Sequence, residues 1–379
     1  MKKNFLYLFT VLCTLSFFTA CGDDDDDPKD PTVLDVNTAY SGDKLDLKYG
    51  DSALLGKEIT FDTKDGKTAT ITMKGLFNLS ELLAQLMPKS TAAAPSMAPG
   101  VIPGEVTTTI SNVPLILSGE TYTFEGEYTG ASGVKATYSG EVKKDKLTMA
   151  VKATMPTNDL VGTWALAPFA PTTGSLPMVM AWKSETPLKI DAHILDENIP
   201  AGTIIDIKIE DLLAKMNVNP MVSGLLTGVL QSITYQEDGN IVASYKKAGA
   251  SDWATSPINL AQYYIANGKM YVQLNIAQIM DLVASSKADN NPLAGLMAYL
   301  SAGVPLSYTV ENGKAQITAD KELLLPILGL LSNETIAGLI MKAVPKEQLP
   351  LVQDLMTQLP GILATTTDVN ATLYLVKQK

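Results

Sequence analysis

Residues 209–245 have the sequence IEDLLAKMNVNPMVSGLLTGVLQSITYQEDGNIVASY, and their pattern predicts the structural unit of the second half of the chain. Apolar residues recur at helical spacing over 209–216 and 220–230. Asn219-Pro220 between them is a favourable helix start, because asparagine caps a helix and proline fits its first turn. Strand-like segments then flank Asp238-Gly239, a strong signal for a tight hairpin. The stretch therefore predicts two apolar helices followed by a β-hairpin.

The same order recurs further along the chain. Residues 276–318 contain a helical pattern, Asn291-Pro292, a second helical pattern and two strands around Asn312-Gly313, and 321–376 repeats helix, helix and strand with an extra helix. Such a repeat predicts units that build a core by stacking. The alternative is chance similarity between simple Leu/Ala/Gly helices.

The first half of the chain has a different pattern. From 33 to 156 it consists mostly of alternating strands, for example on both sides of Asp65-Gly66, with one predicted helix at 80–87. The character changes near Asn158. We therefore expect a β-rich N-terminal domain over 38–157 and an α+β C-terminal domain over 158–379.

The N-terminus has the pattern of an export signal. Residues 1–21, MKKNFLYLFTVLCTLSFFTAC, combine two lysines, an apolar stretch and small residues before a cysteine. The segment resembles bacterial lipoprotein signal peptides, although the position three before the cysteine is Phe18 where leucine is usual. The resemblance implies that residues 1–20 are removed and that Cys21 is lipidated. An ordinary cleaved signal peptide with a chance cysteine is the alternative.

Five consecutive acids follow the cysteine. Because adjacent carboxylates repel each other and stay hydrated, residues 21–37 are expected to form a disordered tether. The run Asp23, Asp24, Asp25, Asp26 and Asp27 resembles the acidic tract of Bacteroidetes lipoproteins exported to the cell surface. That resemblance implies an outer-membrane protein that is exposed at the cell surface and held in the lipid by acylated Cys21. A plain solvated spacer is the alternative.

Composition limits the partners and the chemistry. Apolar residues make up 46% of the chain, the net charge is −11, and all 29 basic residues are lysines. The negative charge and the lack of arginine argue against nucleic acid as a partner. Cys13 and Cys21 are the only cysteines, and His193 is the only histidine. Zinc sites and thiol catalysis therefore lack the residues they need.

Motifs for catalysis or cofactor binding are missing as well. The chain contains no Gly-x-Ser-x-Gly elbow and no dinucleotide fingerprint, so we expect no cofactor and no catalytic residue. A pair of carboxylates would be enough for a hydrolase. The acids available for such a pair are Asp206, Glu210, Asp211, Glu237 and Asp252.

Two further patterns resemble known β-barrel families. Gly162-Thr163-Trp164 is similar to the Gly-x-Trp on the first strand of lipocalin-like barrels, in which the indole plugs one end. The arginine that usually stacks on that tryptophan is absent here. Tyr40-Ser41-Gly42 and Tyr138-Ser139-Gly140 resemble calycin-like lipoproteins of Bacteroidetes. The layout of the whole chain is similar to two-domain Bacteroidetes surface lipoproteins of unknown function, which implies a location and a fold but no activity.

These observations predict an α+β protein. The N-terminal domain is expected to be an antiparallel calycin- or lipocalin-like fold, and the C-terminal domain to combine antiparallel strands with apolar helices. The expected function is non-catalytic binding of an apolar or amphipathic small molecule, or of a glycan. Its lining would include Met280, Met297, Met341 and Met356, because methionine adapts to varied ligands. The alternatives are a structural or adhesive surface protein whose apolar helices only form core, and a carboxylate-based hydrolase.

Overall fold

The computed structural model describes residues 33–76, 99–247, 249–279, 303–331, 337–338, 341 and 349–378, and these are rich in strands. The strands are β1 Thr38–Ser41, β2 Leu45–Tyr49, β3 Ser52–Ala53, β4 Lys57–Asp62, β5 Thr68–Gly75, β6 Thr107–Pro114, β7 Ile116–Ser118, β8 Thr121–Thr129, β9 Lys135–Lys143, β10 Lys146–Thr154, β11 Gly162–Leu166, β12 Met178–Ser184, β13 Leu188–Asp191, β14 Ile204–Ile207, β15 Leu230–Tyr235, β16 Asn240–Lys246, β17 Trp253–Thr255, β18 Ala261–Ala266, β19 Lys269–Leu274, β20 Val304–Glu311, β21 Lys314–Ala319 and β22 Thr366–Lys377. The α-helices with complete bounds are α1 Ile209–Lys215, α2 Val218–Val229, α3 Lys321–Leu330 and α4 Leu349–Ala364. None of the helices within these ranges is long and apolar enough to span a membrane.

The first half of the chain forms two sheets. One has the order β1-β4-β5-β6 and the other β3-β2-β10-β9-β8-β7, and they enclose one apolar core that includes Tyr40, Phe61 and Tyr122. The predicted hairpin at Asp65-Gly66 joins β4 to β5. It forms because the Asp65 carboxylate accepts hydrogen bonds from the backbone N–H groups of Lys67 and Thr68, while Gly66 adopts a positive φ of 65°.

The second half contains a closed, antiparallel, eight-stranded barrel. Its order is β11-β15-β16-β18-β19-β20-β21-β22, and pairing of β22 with β11 closes it. Strand β12 is added beside β22, and β17 beside β16. The expectation of a strand-rich, antiparallel fold is confirmed, and the barrel is consistent with a calycin-like fold, but it lies in the second half of the chain rather than within 38–157. The helices with complete bounds lie in connections between strands.

The two ends of the barrel differ. Strands that run in one direction end in the tight turns at 238–239, 267–268 and 312–313, where Asn267 and Asn312 adopt φ values of 51° and 50°. Strands that run in the other direction lead into long connections, and all four α-helices lie in these. We call the two ends the turn end and the helical end. The hairpin turns were predicted correctly, because Asp-Gly and Asn-Gly tolerate positive φ.

The predicted repeat unit is present over 209–246, where α1, α2 and the β15–β16 hairpin follow each other. Its second copy shows helical residues 276–279 and the β20–β21 hairpin, while Asn291-Pro292 and the predicted helices at 80–87 and 292–300 lie outside the described residues. The predicted helix start at Asn219-Pro220 is wrong, because α2 already begins at Val218.

The turn end of the barrel contacts the two sheets of the first half, β1–β10, which we call the two-sheet region. The Tyr49 hydroxyl donates to the Asp238 carbonyl at 2.5 Å, and the Met155 N–H donates to the Glu237 carbonyl at 2.8 Å. The Asn259 amide nitrogen lies within 3.1 Å of the carbonyl oxygens of Tyr49, Ser52 and Ala53. Besides the cores of the two sheets and of the barrel, the chain has a smaller apolar core where α4, α1 and the β13–β14 hairpin pack together. It includes Ile190, Ile209 and Ile362.

Candidate functional site: the barrel interior

The inward face of the barrel is apolar. Residues paired across antiparallel strands project to the same face of the sheet, so the strand register identifies the inward positions. They include Trp164, Leu166, Ile233, Tyr235, Tyr263, Ile265, Met270, Val272, Leu306, Tyr308, Val310, Ala315, Ile317, Leu373 and Leu375, all of which belong to one apolar cluster. The outward face instead carries hydroxyl pairs, such as Thr318 and Thr372 with their oxygens 3.0 Å apart.

The floor of the interior lies at the turn end. Trp164 is completely buried, and its indole N–H donates to the Leu160 carbonyl at 2.6 Å. The Lys377 ammonium lies 5.3 Å from the centre of the Trp164 ring. Gly162 adopts a φ of 125°, and a Cβ there would lie 3.1 Å from Cε of Lys377. A side chain at this position would therefore be strained and would press on the lysine, which explains the glycine of the Gly-x-Trp pattern.

Two tyrosines complete the floor. Tyr235 and Tyr263 meet edge to face with ring centres 5.2 Å apart, and the Tyr263 hydroxyl donates to the Gln236 carbonyl at 3.1 Å. Burial is the main reason that the pKa of Tyr263 rises to about 12, and it also raises the pKa of Tyr235. Both phenols therefore stay protonated at neutral pH and cannot serve as bases there.

The aliphatic part of the inward face is less buried than its aromatic residues. Leu166, Val272 and Leu306, toward the helical end, are partly buried, as are Ile265 and Val310 near the turns, whereas Trp164, Tyr235 and Tyr263 are buried. We call Leu166, Val272 and Leu306 the upper wall. On the described barrel strands, no inward position carries an acidic side chain. The described interior therefore combines partly exposed aliphatic side chains with buried aromatic ones.

No family model, curated protein or solved structure matches this chain. What the interior can bind follows from its own side chains. Partly exposed aliphatic groups beside buried aromatic ones suit an apolar ligand body, which gains affinity when its surface leaves water.

Of the four methionines predicted to line a site, the structure describes two. Met280 and Met297 lie outside the described residues. Met341 is helical and partly buried, and Met356 is partly buried on α4. The inward strand positions form the described part of the interior, and they were not predicted as ligand lining. Their signal was the spacing of apolar residues along the strands.

Helix α2, at the helical end, has an inverted amphipathic pattern. Its polar side chains face β12. Ser223 hydrogen-bonds both backbone groups of Met178, at 3.2 and 2.7 Å, and Asn219 hydrogen-bonds both backbone groups of Met180, at 2.8 and 3.0 Å. They pair the free edge of β12 in place of another strand. The apolar residues Met221, Leu225 and Val229 are consequently exposed by 54, 66 and 51%. We call these three the α2 stripe. The interpretation that such helical residues form core is wrong for Leu225 and Val229.

The only histidine has a structural environment. His193 lies in a short 3-10 helix, Ala192–Ile194, directly after β13. Its ring Nδ1 is 2.7 Å from the Ile199 carbonyl oxygen, and its backbone N–H donates to the Asp191 carboxylate at 3.1 Å. These contacts order the turn.

The candidate acids are spread over several elements, with Glu210 and Asp211 adjacent on α1. Asp206 on β14, Asp211 on α1, Glu237 in the β15–β16 turn and Asp252 before β17 are all exposed. Glu210 is partly buried beside a pocket of about 210 Å³ between β12 and α1, and one of its oxygens has no hydrogen-bond partner.

Within the described ranges, no cluster of three or more His, Cys, Asp or Glu side chains could hold a metal ion. Cys21 and the acidic run Asp23–Asp27 lie outside those ranges.

Proposed function

We propose that this protein binds an apolar or amphipathic small molecule inside the barrel, without catalysing a reaction on it. The observation that carries the proposal is the apolar inward face of the barrel, on which aliphatic side chains such as Leu166, Val272 and Leu306 stay partly exposed while Trp164, Tyr235 and Tyr263 are buried. The ligand enters from the helical end, because the turn end is filled by Trp164 and its neighbours.

The side chains of the interior favour an apolar ligand over a glycan. A sugar needs several hydrogen bonds to replace those it makes with water. The inward positions supply mainly aliphatic and aromatic groups. A ligand that buries about 200 Å² of apolar surface there gains roughly 5 kcal/mol before the cost of association.

Binding of a fluorescent fatty-acid analogue to the full chain tests the proposal. Leu306→Trp fills the space beside the upper wall and is expected to abolish binding, while Leu306→Asn, similar in size but polar, weakens it about tenfold. The matched control is Thr309→Trp on the same strand, since Thr309 is exposed and faces outward. Circular dichroism checks that each variant is folded. If the wild type takes up no probe, or if Leu306→Trp and Thr309→Trp bind it equally, the proposal is wrong and the structural or adhesive alternative replaces it.

We also propose that the protein is a lipid-anchored outer-membrane protein at the cell surface, of the two-domain Bacteroidetes lipoprotein type. The leader before Cys21 and the five acids after it support this location. Cys21→Ser is expected to abolish incorporation of labelled fatty acid. Replacing Asp23–Asp27 by alanine is expected to keep lipidation but to protect the protein from protease added to intact cells.

A further inference from the structure

The α2 stripe belongs to a larger exposed apolar surface at the helical end of the barrel. Met216, which follows α1, is 43% exposed. Phe169, 42% exposed, lies 3.5 Å from the position that a Cβ on Gly224 would occupy. No ionisable residue occurs between Val218 and Val229. An apolar helical surface of this kind on a folded protein indicates an interaction site.

The exposure of the stripe is a consequence of how α2 is held. Asn219 and Ser223 pair the backbone of β12, so rotating the helix to bury Leu225 would leave the N–H and C=O groups of Met178 and Met180 without partners. Each buried N–H or C=O group left without a partner would destabilise the fold. The stripe therefore stays on the outside of the described part of the chain, where a partner can cover it.

We infer that this partner is a lipid surface, and that α2 lies on it with Met221, Leu225 and Val229 among the acyl chains. Protein interfaces depend mostly on Trp, Tyr and Arg, and leucine and valine are under-represented among their strongest contacts. The stripe has only Met, Leu and Val. Its surface matches the apolar side of a helix that is buried roughly 5–10 Å into a bilayer.

The borders of the stripe also suit a bilayer interface. Lys215 lies just before α2. On the other side, Leu230 follows α2 and pairs with Tyr245, and the neighbouring Lys246 ammonium lies 4.7 Å from the centre of the Trp253 ring. Lysine and tryptophan are typical at the level of lipid headgroups, where an apolar body and a polar tip are both satisfied. If Cys21 is acylated as proposed, Val33 follows twelve residues later and stays within roughly 40 Å of the membrane.

The stripe lies at the end where the ligand is proposed to enter. A bilayer held against α2 would let an apolar ligand pass between the acyl chains and the barrel without crossing water. This last step rests on the proposed function, while the contact between α2 and lipid does not.

A pair of matched tryptophan variants tests the contact. Leu225 and Ile116 are apolar residues of nearly equal exposure, 66 and 68%, on α2 and on β7 of the two-sheet region. The full-length, lipidated protein carrying Leu225→Trp or Ile116→Trp is placed in neutral phosphatidylcholine vesicles with brominated acyl chains. The fluorescence of the wild type, with Trp164, Trp182 and Trp253, is subtracted. We expect bromine to quench most of the emission added by Leu225→Trp and little of that added by Ile116→Trp. Equal quenching of the two, or none for Leu225→Trp, overturns the inference.

A second measurement avoids the affinity of tryptophan for membranes. Replacing Met221, Leu225 and Val229 together by asparagine is expected to slow transfer of a fluorescent fatty-acid analogue from donor vesicles at least tenfold, with equilibrium binding unchanged. Transfer at the wild-type rate overturns the direct passage of ligand from the bilayer into the barrel and leaves the proposed function standing. Quenching at position 225 without any binding of the probe contradicts the proposed function and leaves the lipid contact standing.

Discussion

Lys377 covers Trp164 at the turn end of the barrel, with its ammonium 5.3 Å from the ring centre. The two residues are direct partners in the pairing that closes the barrel, although 213 positions separate them along the chain. In a chain without arginine, the last barrel strand supplies a lysine, whose stem packs on the ring while its charge reaches water.

The contact predicts a graded mutational series. Lys377→Ala removes both the stem and the charge and is expected to lower the free energy of unfolding by about 1–2 kcal/mol. Lys377→Met keeps the stem and is expected to cost less, while Lys377→Arg should equal or exceed the wild type, because guanidinium stacks well on indole. Urea unfolding followed by tryptophan fluorescence gives the order. An alanine variant as stable as the arginine variant would contradict it.

The pairing of α2 with β12 predicts large effects from two small polar side chains. Asn219→Leu leaves the N–H and C=O of Met180 unpaired and is expected to cost about 2–4 kcal/mol, and Ser223→Ala about 1–3 kcal/mol. Thr227→Ala on the same helix is the control, because Thr227 bonds only the Gly224 carbonyl within α2. Its expected change is below about 0.5 kcal/mol. Equal midpoints in urea for Asn219→Leu and the control would show that the edge of β12 needs no partner.

Local features of the fold were predictable, and its closure was not. The turns at 238–239, 267–268 and 312–313 follow from the ability of asparagine and glycine to adopt positive φ, which depends on neighbouring residues alone. Pairing of β22 with β11 depends on residues far apart in the chain, and periodicity contains no information about it. The orientation of α2 was also unpredictable, because it depends on the free edge of β12.

In the candidate site, too, a local feature was predictable and a feature that depends on distant residues was not. Gly162-Thr163-Trp164 identified the floor from three adjacent residues. The upper wall was missed, because the sequence shows which strand positions are apolar but not that they surround a common interior. Because methionine adapts to varied ligands, the sequence favoured a lining made of methionines on the helices.

Asn259 is expected to couple the barrel to the two-sheet region. It is fully buried with a φ of 65°, and its amide bonds carbonyls of Tyr49, Ser52 and Ala53. Asn259→Gly keeps the backbone conformation but loses these bonds, and should lower the free energy of unfolding by about 2–3 kcal/mol. Asn312→Gly, at an exposed turn with φ of 50°, is the matched control and should be nearly neutral.

Calorimetry of the same variants tests the predicted boundary at 157/158. With the junction weakened by Asn259→Gly, the two regions are expected to unfold in separate transitions. One unchanged transition in both variants would favour a single continuous domain.

Lys57 predicts an unusual dependence of stability on pH. It is only 7% exposed, its ammonium donates to the Pro99 carbonyl at 2.8 Å, and the described residues include no acid in an ion pair with it. Burial lowers its pKa from 10.5 to about 8. Between these values the unfolded chain binds more protons than the folded one, so stability rises with pH from about 8 toward 10.5. The gain is about 3 kcal/mol at most. Above about pH 10 the buried tyrosines, whose pKa values are raised, act in the opposite direction.

The variant Lys57→Met isolates this effect, because it keeps an apolar side chain of similar length and removes the titrating group. Relative to the wild type, it should be more stable at pH 7 by about 1–3 kcal/mol, and the advantage should shrink as the pH approaches 10. Lys48→Met, at an exposed position on β2, is the control and should show no such trend. Urea midpoints of the wild type and both variants, measured from pH 7 to 9.5, test this prediction. A constant difference between Lys57→Met and the wild type would mean that the lysine is already neutral, or fully solvated, throughout the range.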